Sequence, residues 1–310
     1  MSYEMKSTLL VADTGIAAKY DPVISEHFNN EVTFYAQTPH KRSESLNYRF
    51  VARVTRNTQV GPKTSLDDII GGSSGRINLY SLLRQYTAAV AVEDARVIEA
   101  TRNGIGPLAD SWASEMNDAM IDLSKNLNTA FVDSGTTLGS AFGDAVDSLG
   151  AILQTTGNIY GQARSAYASL TANVNTTVGD LSLTKLRSYM ITLRTNGARK
   201  LIMYTTPIVA GYIRNKMEAQ KMYITTSSEI GFVGDLVFDG VIIHEDVDID
   251  TGYMFILDRD EYHIAEFIPF TLGWEKLAKR NLTSTKYVWG VLNLIFRKIN
   301  TSYKLYGITS

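Results

Sequence analysis

Four histidines are the sequence's candidate general bases and metal ligands: His27, His40, His244 and His263. None has a second histidine at the short spacing that presents two ligands to zinc, so no zinc centre is expected. Cysteine is absent, which excludes disulfides, thiolate ligands and a thiol nucleophile. No G-x-S-x-G elbow occurs, and Gly104-Ile105-Gly106-Pro107 lacks the third glycine and the phosphate context of a nucleotide loop. The acidic run Asp246-Val247-Asp248-Ile249-Asp250 matches the first half of a calcium loop. It then departs: Thr251 stands where the turn glycine belongs and Leu257 where the bidentate Glu belongs. The run reads as a solvated strand end. Acidic residues are plentiful, yet no carboxylate pair is marked out for acid–base work. The expectation is therefore no catalytic, cofactor-binding or metal-binding residue.

Charge distribution is more informative than total charge. The net of −2 over 310 residues argues against a dedicated nucleic-acid binder. Residues 181–230 carry eight Lys/Arg against two Asp/Glu, residues 231–270 carry one against ten, and residues 271–310 carry seven against one. Residues 107–180 lean acidic, two against eight. Such blocks either form complementary surfaces between copies of the chain or pair within one subunit. The first thirty residues hold no apolar run long enough for a signal peptide, and no stretch approaches the roughly 18 apolar residues of a membrane span. The expectation is a protein made in the cytoplasm with no membrane partner.

Several elements would position these residues. Val23, Ile24 and Phe28 stand at helical spacing in a short N-terminal segment. In Tyr48-Arg49-Phe50-Val51-Ala52-Arg53-Val54 the side chains alternate between an apolar or aromatic face and a mostly basic one, the two-residue period of a strand. Asn57 to Gly75, with Gly61-Pro62 and Gly71-Gly72-Ser73-Ser74-Gly75, is turn chemistry. A second extended run, about Gln85 to Ala100, is expected to return beside the first as a long hairpin that needs a neighbour for stability. Gly106-Pro107 opens a helix to Val132, because proline suits the first helical position. Trp112, Met116, Ala119, Leu123, Leu127 and Ala130 form its apolar stripe, opposite Asp118, Asp122 and Lys125. Residues 133–180 read as surface loops with one short helix at most. Ser182 caps a helix with Leu183, Leu186, Met190 and Leu193 inward and Gly197 as its stop. The strand Lys200–Tyr204 follows, and Thr206-Pro207 starts a helix anchored by Ile208, Tyr212 and Ile213, a mixed α/β unit. From Leu236 the pattern turns to strands, ending in Lys286–Ile299, apolar on both faces as in a covered sheet.

This order of arm, extended loop, long helix, α/β domain and terminal strands resembles the major capsid proteins of tailed phages and related archaeal viruses, the Hong Kong 97 fold. Residues 24–37 and 48–62, including Arg56-Asn57-Thr58 before the loop glycine, resemble the family's N-arm and E-loop. The helix PLADSWASEMNDAMIDLSKNLNTAFVDSGT, with its Glu115-Met116 pair, resembles the spine helix. GDLSLTKLRSYMITLRTNGARKLIMYTTPIVAGYI resembles the A-domain helix, strand and second helix start. FDGVIIHEDVDIDTGYMFILDRDEYHI and KYVWGVLNLIFRKINTSYKLYGIT resemble the later strands.

The resemblance implies an α+β chain divided into an N-terminal arm (1–30), a peripheral domain (31–47 and 86–150, spine helix about 107–132), an E-loop (48–85), an axial domain of mixed α/β sheet (151–255) and closing strands shared by both domains (256–310). It implies a major capsid protein that forms pentamers and hexamers, closing an icosahedral-type shell around double-stranded DNA held without sequence specificity. Portal and decoration proteins would be partners. Because Met1 lies only a short way before the arm, scaffolding would come from a separate protein or be absent. Inter-subunit contacts would come from Tyr48, Phe50, Arg53 and Arg56, with Lys63 near the loop tip. The aromatic face of Tyr48 and Phe50 would be covered by the neighbouring subunit. Some members crosslink a loop lysine to an asparagine, but no partner for Lys63 can be placed. The same architecture builds encapsulin compartments and gene-transfer-agent particles. From another class, the alternative is an α/β enzyme with a lid formed by residues 48–85.

Overall fold

The computed structural model describes residues 32–57, 59–62, 71–93, 106–219, 236–274 and 283–309. The expected N-terminal segment, His27 and Lys63 lie outside the described residues, as do the side chains of Trp112, Glu115 and Met116.

The described chain begins with α1 (Phe34–Gln37), β1 (His40–Arg42), β2 (Asn47–Arg53), β3 (Arg76–Leu82) and β4 (Arg84–Glu93). Next come the long helix α2 (Gly106–Val132), α3 (Leu149–Ile152), the hairpin β5 (Asn158–Ile159) and β6 (Gln162–Ala163), then β7 (Asn173–Asn175) and β8 (Gly179–Asp180). An α/β segment follows: α4 (Leu183–Thr195), β9 (Leu201–Thr205) and α5 (Pro207–Ala219). Strands complete the fold: β10 (Leu236–Phe238), β11 (Val241–Glu245), β12 (Met254–Asp258), β13 (Tyr262–Trp274), β14 (Thr283–Phe296), β15 (Tyr303–Leu305) and β16 (Ile308–Thr309). The contacts divide into two units. The described part of one falls in Tyr86–Asn126 and Phe270–Gly290; the other is Val32–Gln85, Leu127–Pro269 and Val291–Ser310.

A six-stranded mixed sheet in the larger unit has the order β10-β11-β9-β12-β15-β7. Its middle strand β9 runs parallel to β11, with Met203 opposite Ile243, and antiparallel to β12, with Met203 opposite Ile256. Both its neighbours are strands and both its faces are covered, so it reads as a nearly unbroken apolar run. Leu186, Met190 and Leu193 of α4, with Val209, Ile213 and Met217 of α5, pack with Met203, Ile243 and Ile256 in one buried cluster. Each such side chain contributes about 1.5–3 kcal/mol by leaving water.

Local chemistry sets where these elements begin and end. The Ser182 hydroxyl accepts from Lys185 N–H at the start of α4, and Gly197 takes φ +94° beyond its end. The Thr206 hydroxyl accepts from Val209 N–H at 3.3 Å to start α5. The β10–β11 hairpin turns on Asp239 (φ 47°) and Gly240 (φ 78°), the paired left-handed conformations of a two-residue turn. The smaller unit contains most of α2, and there Gly290 of β14 lies so close to Phe270 that a Cβ would sit 2.8 Å from the ring.

Four expectations are corrected. The partner of β2 is β3, paired from Asn47↔Leu82 to Arg53↔Arg76; the run from residue 84 forms β4 beside β14 in the sheet β1-β13-β14-β4. The period-two alternation of Arg76–Leu82 is what returns the hairpin. Residues 133–180 are not all surface loops, since Val146 through Leu153 are buried and β7 adds an edge to the six-stranded sheet. Apolar Val146, Leu149, Ile152 and Leu153 seat this segment in the core, Ser148 caps its short helix, and Gly150 approaches Ser134 where a Cβ would not fit. Ile208 is 52% exposed; the buried stripe of α5 runs instead through Val209, Ile213 and Met217, four residues apart. The aspartate run 246–250, finally, is not a solvated strand end: Asp246 is buried at the centre of a hydrogen-bond hub.

Candidate assembly surfaces

The β2–β3 hairpin has two unlike faces. One carries Tyr48, Phe50, Ala52, Ile77, Leu79 and Ser81, all half-buried or buried. The Tyr48 hydroxyl lies 3.0 Å from His263 Nε2, and the two rings meet edge to face at 5.4 Å. Phe50 meets Tyr160 edge to face at 5.4 Å. Tyr160 and Gly161 form the β5–β6 turn, with φ 53° and 79°. A left-handed tyrosine is unfavourable alone. Here its carbonyl accepts from Tyr80 N–H at 3.4 Å and its hydroxyl from Phe296 N–H at 2.9 Å. A side chain on Gly161 would collide with the Tyr80 ring at 2.4 Å. The chain thus covers its own aromatic hairpin face. Burial, helped by Arg297 and Lys41, pulls the His263 imidazole down to about 4, so the ring is neutral at physiological pH.

The opposite face is basic and largely exposed. Arg49, Val51 and Arg53 alternate along β2, and Arg76, Asn78 and Tyr80 stand opposite on β3, all exposed. Val51 is 62% and Tyr80 53% exposed. Among the described residues no carboxylate comes within ion-pair distance of these arginines. Beyond the strands, the loop closes on polar bonds. Val54 N–H donates to Gly75 O at 3.0 Å, Gly75 N–H to Thr55 Oγ1 at 2.7 Å, and Asn57 Nδ2 to Gly72 O at 3.1 Å. Val60 is 79% exposed. Of the residues singled out from sequence, Tyr48 and Phe50 therefore lie on the self-covered face, while Arg53 and Arg56 are exposed to solvent.

Two buried assemblies hold the hairpin's support. Phe34 of α1 is fully buried among Tyr204 (5.1 Å, edge-on), Tyr262 (6.0 Å, stacked) and Phe131 (6.4 Å). Beside this box, Asn128 Nδ2 donates to Asp246 Oδ2 at 3.0 Å and Asp248 Oδ2 at 2.6 Å, while its Oδ1 accepts from Tyr35 N–H. Phe34 N–H donates to Asp246 Oδ2 at 3.2 Å. One aspartate thus ties together α1, α2 and the β11 exit. In the second assembly, Asn293 of β14 donates to Asp147 Oδ2 at 2.8 Å, Ser81 Oγ at 3.1 Å and Leu82 O at 3.1 Å. It also accepts from Asp147 N–H at 2.8 Å. Burial raises the Asp147 carboxyl above its usual range despite Asn293, Arg84 and Gly139 N–H, which act to lower it.

Four cations of the 181–230 block pair within the subunit, three of them with acids of the 231–270 block. Arg187 binds Asp239 at 2.7 Å, Lys200 binds Asp260 at 3.0 Å, Arg214 binds Glu245, and Lys216 binds Asp180 at 2.8 Å. Other perturbed groups are structural. Buried Arg164 donates to Leu170 O and Ala151 O at 3.1 and 3.0 Å, and burial pulls it down to about 10. Lys304 Nζ donates to Gly150 O at 3.1 Å and sits 5.8 Å above the Tyr253 ring. No described group of three or more His, Cys, Asp or Glu could hold a metal ion, and no described helix is long and apolar enough to cross a membrane.

Sequence reasoning missed Phe34, Asn128, Tyr160, Asn293 and Arg76. Only two left a signal: an asparagine inside the apolar run Val291-Leu292-Asn293-Leu294, and a Tyr-Gly pair between short extended segments.

A long helix, a six-stranded mixed sheet and a two-stranded hairpin belong to a fold of the Hong Kong 97-like capsid type, as the comparisons with known proteins show. The model for the SU10 major capsid protein family matches residues 91–297. The chain belongs to that family, whose members are structural proteins of the virion capsid and not enzymes. Its membership removes the reading of residues 48–85 as an enzyme's lid. Among solved structures, the capsid of cyanophage A-1(L) is similar at TM-score 0.74 and 14% identity, covering 94% of this chain and 97% of that one. The capsid of an empty gene-transfer-agent particle is similar at TM-score 0.60 and 15% identity, covering 95% and 99%. The holo-SrpI encapsulin from Synechococcus elongatus PCC 7942 is similar at TM-score 0.63 and 11% identity, covering 96% and 95%. No curated protein matches by sequence.

Proposed function

We propose that this chain builds its shell as pentamers and hexamers joined by head-to-tail contacts, closing around double-stranded DNA that it touches without sequence specificity. In this reading residues 1–30 are the arm, 31–47 and 86–150 the peripheral domain, 48–85 the E-loop, 151–255 the axial domain and 256–310 the closing strands. One observation carries the proposal: a hairpin anchored on its own subunit by one face presents a second, exposed face. A heterologous contact repeated around an axis gives such a face a partner in every copy. Arg53 and Arg56 belong to this contact, with Lys63 near the tip; Tyr48 and Phe50 support it from the anchored side. A separate scaffolding protein, a portal and decoration proteins are the further partners. The near-neutral overall charge supports packaging without base readout.

The test is expression of the chain alone and with a scaffolding protein, read by sedimentation and negative-stain electron microscopy. Uniform closed shells are expected. Double-stranded DNA inside virus-produced particles would separate genome packaging from an encapsulin-like role. A chain that stays a small monodisperse species under both conditions would refute the assembly scheme.

A further inference from the structure

We infer that Asn196 is a site of spontaneous deamidation, held shut by the C-terminal cap of α4 in the folded subunit and opened when that cap unfolds. The inference is independent of the assembly scheme. Asparagine followed by glycine is prone to this chemistry, because a residue without Cβ leaves its amide nitrogen unhindered and its backbone free to turn. The sequence holds two such pairs, Asn103-Gly104 and Asn196-Gly197; the first lies outside the described residues. In the reaction the Gly197 nitrogen gives up its proton and attacks Asn196 Cγ, forming the new C–N bond of a succinimide ring. The Cγ–Nδ2 bond breaks, and ammonia leaves with the proton. Water then opens the ring at either carbonyl to give aspartate or isoaspartate. Water is consumed and ammonia released, and nothing is oxidised or reduced.

The fold blocks each requirement of this reaction. Gly197 N–H donates to Arg194 O at 2.9 Å, and Ala198 N–H donates to Leu193 O at 3.0 Å. With Gly197 at φ +94°, these are the two bonds of a Schellman motif. Leu193 and Ala198 both belong to the buried cluster of the six-stranded sheet, so lifting the cap also exposes apolar surface. Asn196 holds ψ −3°, which turns the Gly197 nitrogen away from the side of the Cα–C bond that carries Cβ. The leaving group is held as well, since Asn196 Nδ2 donates to Asn300 O at 3.0 Å. From the same turn after β14, Lys298 Nζ donates to the Asn196 carbonyl. Gly197 is exposed and Asn196 half-buried, so water meets the pair as soon as the cap opens. The products do not rebuild the cap. Isoaspartate carries Cβ in the main chain, and the lengthened turn loses the register of both Schellman bonds. Aspartate sets a carboxylate where the Nδ2 donor met Asn300 O, at the helix end where the macrodipole disfavours negative charge. A subunit whose cap has opened long enough to react is marked permanently.

The experiment follows both Asn-Gly pairs by peptide mapping and mass spectrometry in full-length, unassembled subunits kept at mildly alkaline pH, with and without urea. In urea Asn196 should deamidate at a rate comparable to that of Asn103. In the folded subunit its rate should fall by at least about tenfold, because the reaction waits for an opening that breaks the Gly197, Ala198 and Asn196 side-chain bonds together. Lys298→Met removes the latch and should raise the folded-state rate about threefold or more without changing the rate in urea, whereas Lys298→Arg should keep most of the protection. Equal rates at Asn196 with and without urea would overturn the inference. So would an Asn196 that stays intact in urea while Asn103 reacts. An unchanged folded-state rate in a folded Lys298→Met chain would overturn the latch's part in it. The wild-type comparison stands whether or not that variant folds.

Discussion

Replacing Phe34 with alanine tests whether the aromatic box anchors the chain. The phenyl ring is fully buried and meets three rings at centroid distances of 5.1, 6.0 and 6.4 Å. Withdrawing it forfeits about 1.5–3 kcal/mol of transfer free energy. The cavity left among Tyr204, Tyr262 and Phe131 brings the total to about 3–5 kcal/mol. Two features push toward the upper end. The box walls come from a central sheet strand, from β13 and from the end of α2, none of which can collapse inward easily. Aromatic pairs also add about 0.5–1.5 kcal/mol beyond area. Against this, α1 is a single turn and can shift, but Phe34 N–H is held by Asp246. The assay is urea unfolding of unassembled subunits; with a slope near 3 kcal/mol/M, the midpoint should fall by roughly 1–1.7 M. Phe34→Leu, which keeps most of the volume, should lose less than half as much. A loss below about 1 kcal/mol for Phe34→Ala would refute the anchoring role and show that the box closes without its central ring.

The remaining predictions concern the hairpin's support and the buried turn beside α3. The folded pKa of His263, about 4, lies below its ordinary 6.5, so between these values the unfolded chain binds a proton that the fold refuses. Subunit stability should therefore fall as pH drops from about 6.5 towards 4, and His263→Phe should flatten that part of the profile, read by thermal unfolding across pH; an unchanged slope would exclude His263 as its source. A Cβ at Gly150 would lie 2.3 Å from the Ser134 carbonyl carbon, so Gly150→Ala must move backbone in the core and should cost about 1–3 kcal/mol, measured by denaturant unfolding. A neutral outcome would mean that the 134–150 approach is loose.

Much of the architecture was legible because it depends on local rules. The Ser182 cap, the Gly197 stop and the four inward residues of α4 follow from hydroxyl geometry, left-handed backbone and helical period, all carried by neighbouring residues. The strand character of β2 and the span of α2 were readable for the same reason. The order of these elements was enough to show the resemblance to a capsid fold. The absence of thiols and of paired metal ligands likewise needs no structure.

What the sequence could not decide was which partner each face meets. Tyr48 and Phe50 looked like a surface for a neighbour because an alternating strand shows that one face is apolar without showing what lies against it. His263 and Tyr160, more than a hundred residues away, cover that face and leave the arginines outward. Asp246 looked solvated for the same reason, since its partners Asn128 and Phe34 are 118 and 212 residues distant. The charge blocks could pair within or between copies until the sheet brought Arg187 to Asp239 and Lys200 to Asp260. Periodicity and capping act over a few residues and are written locally. Burial and charge pairing depend on which distant segments come together, and only the tertiary structure decides that.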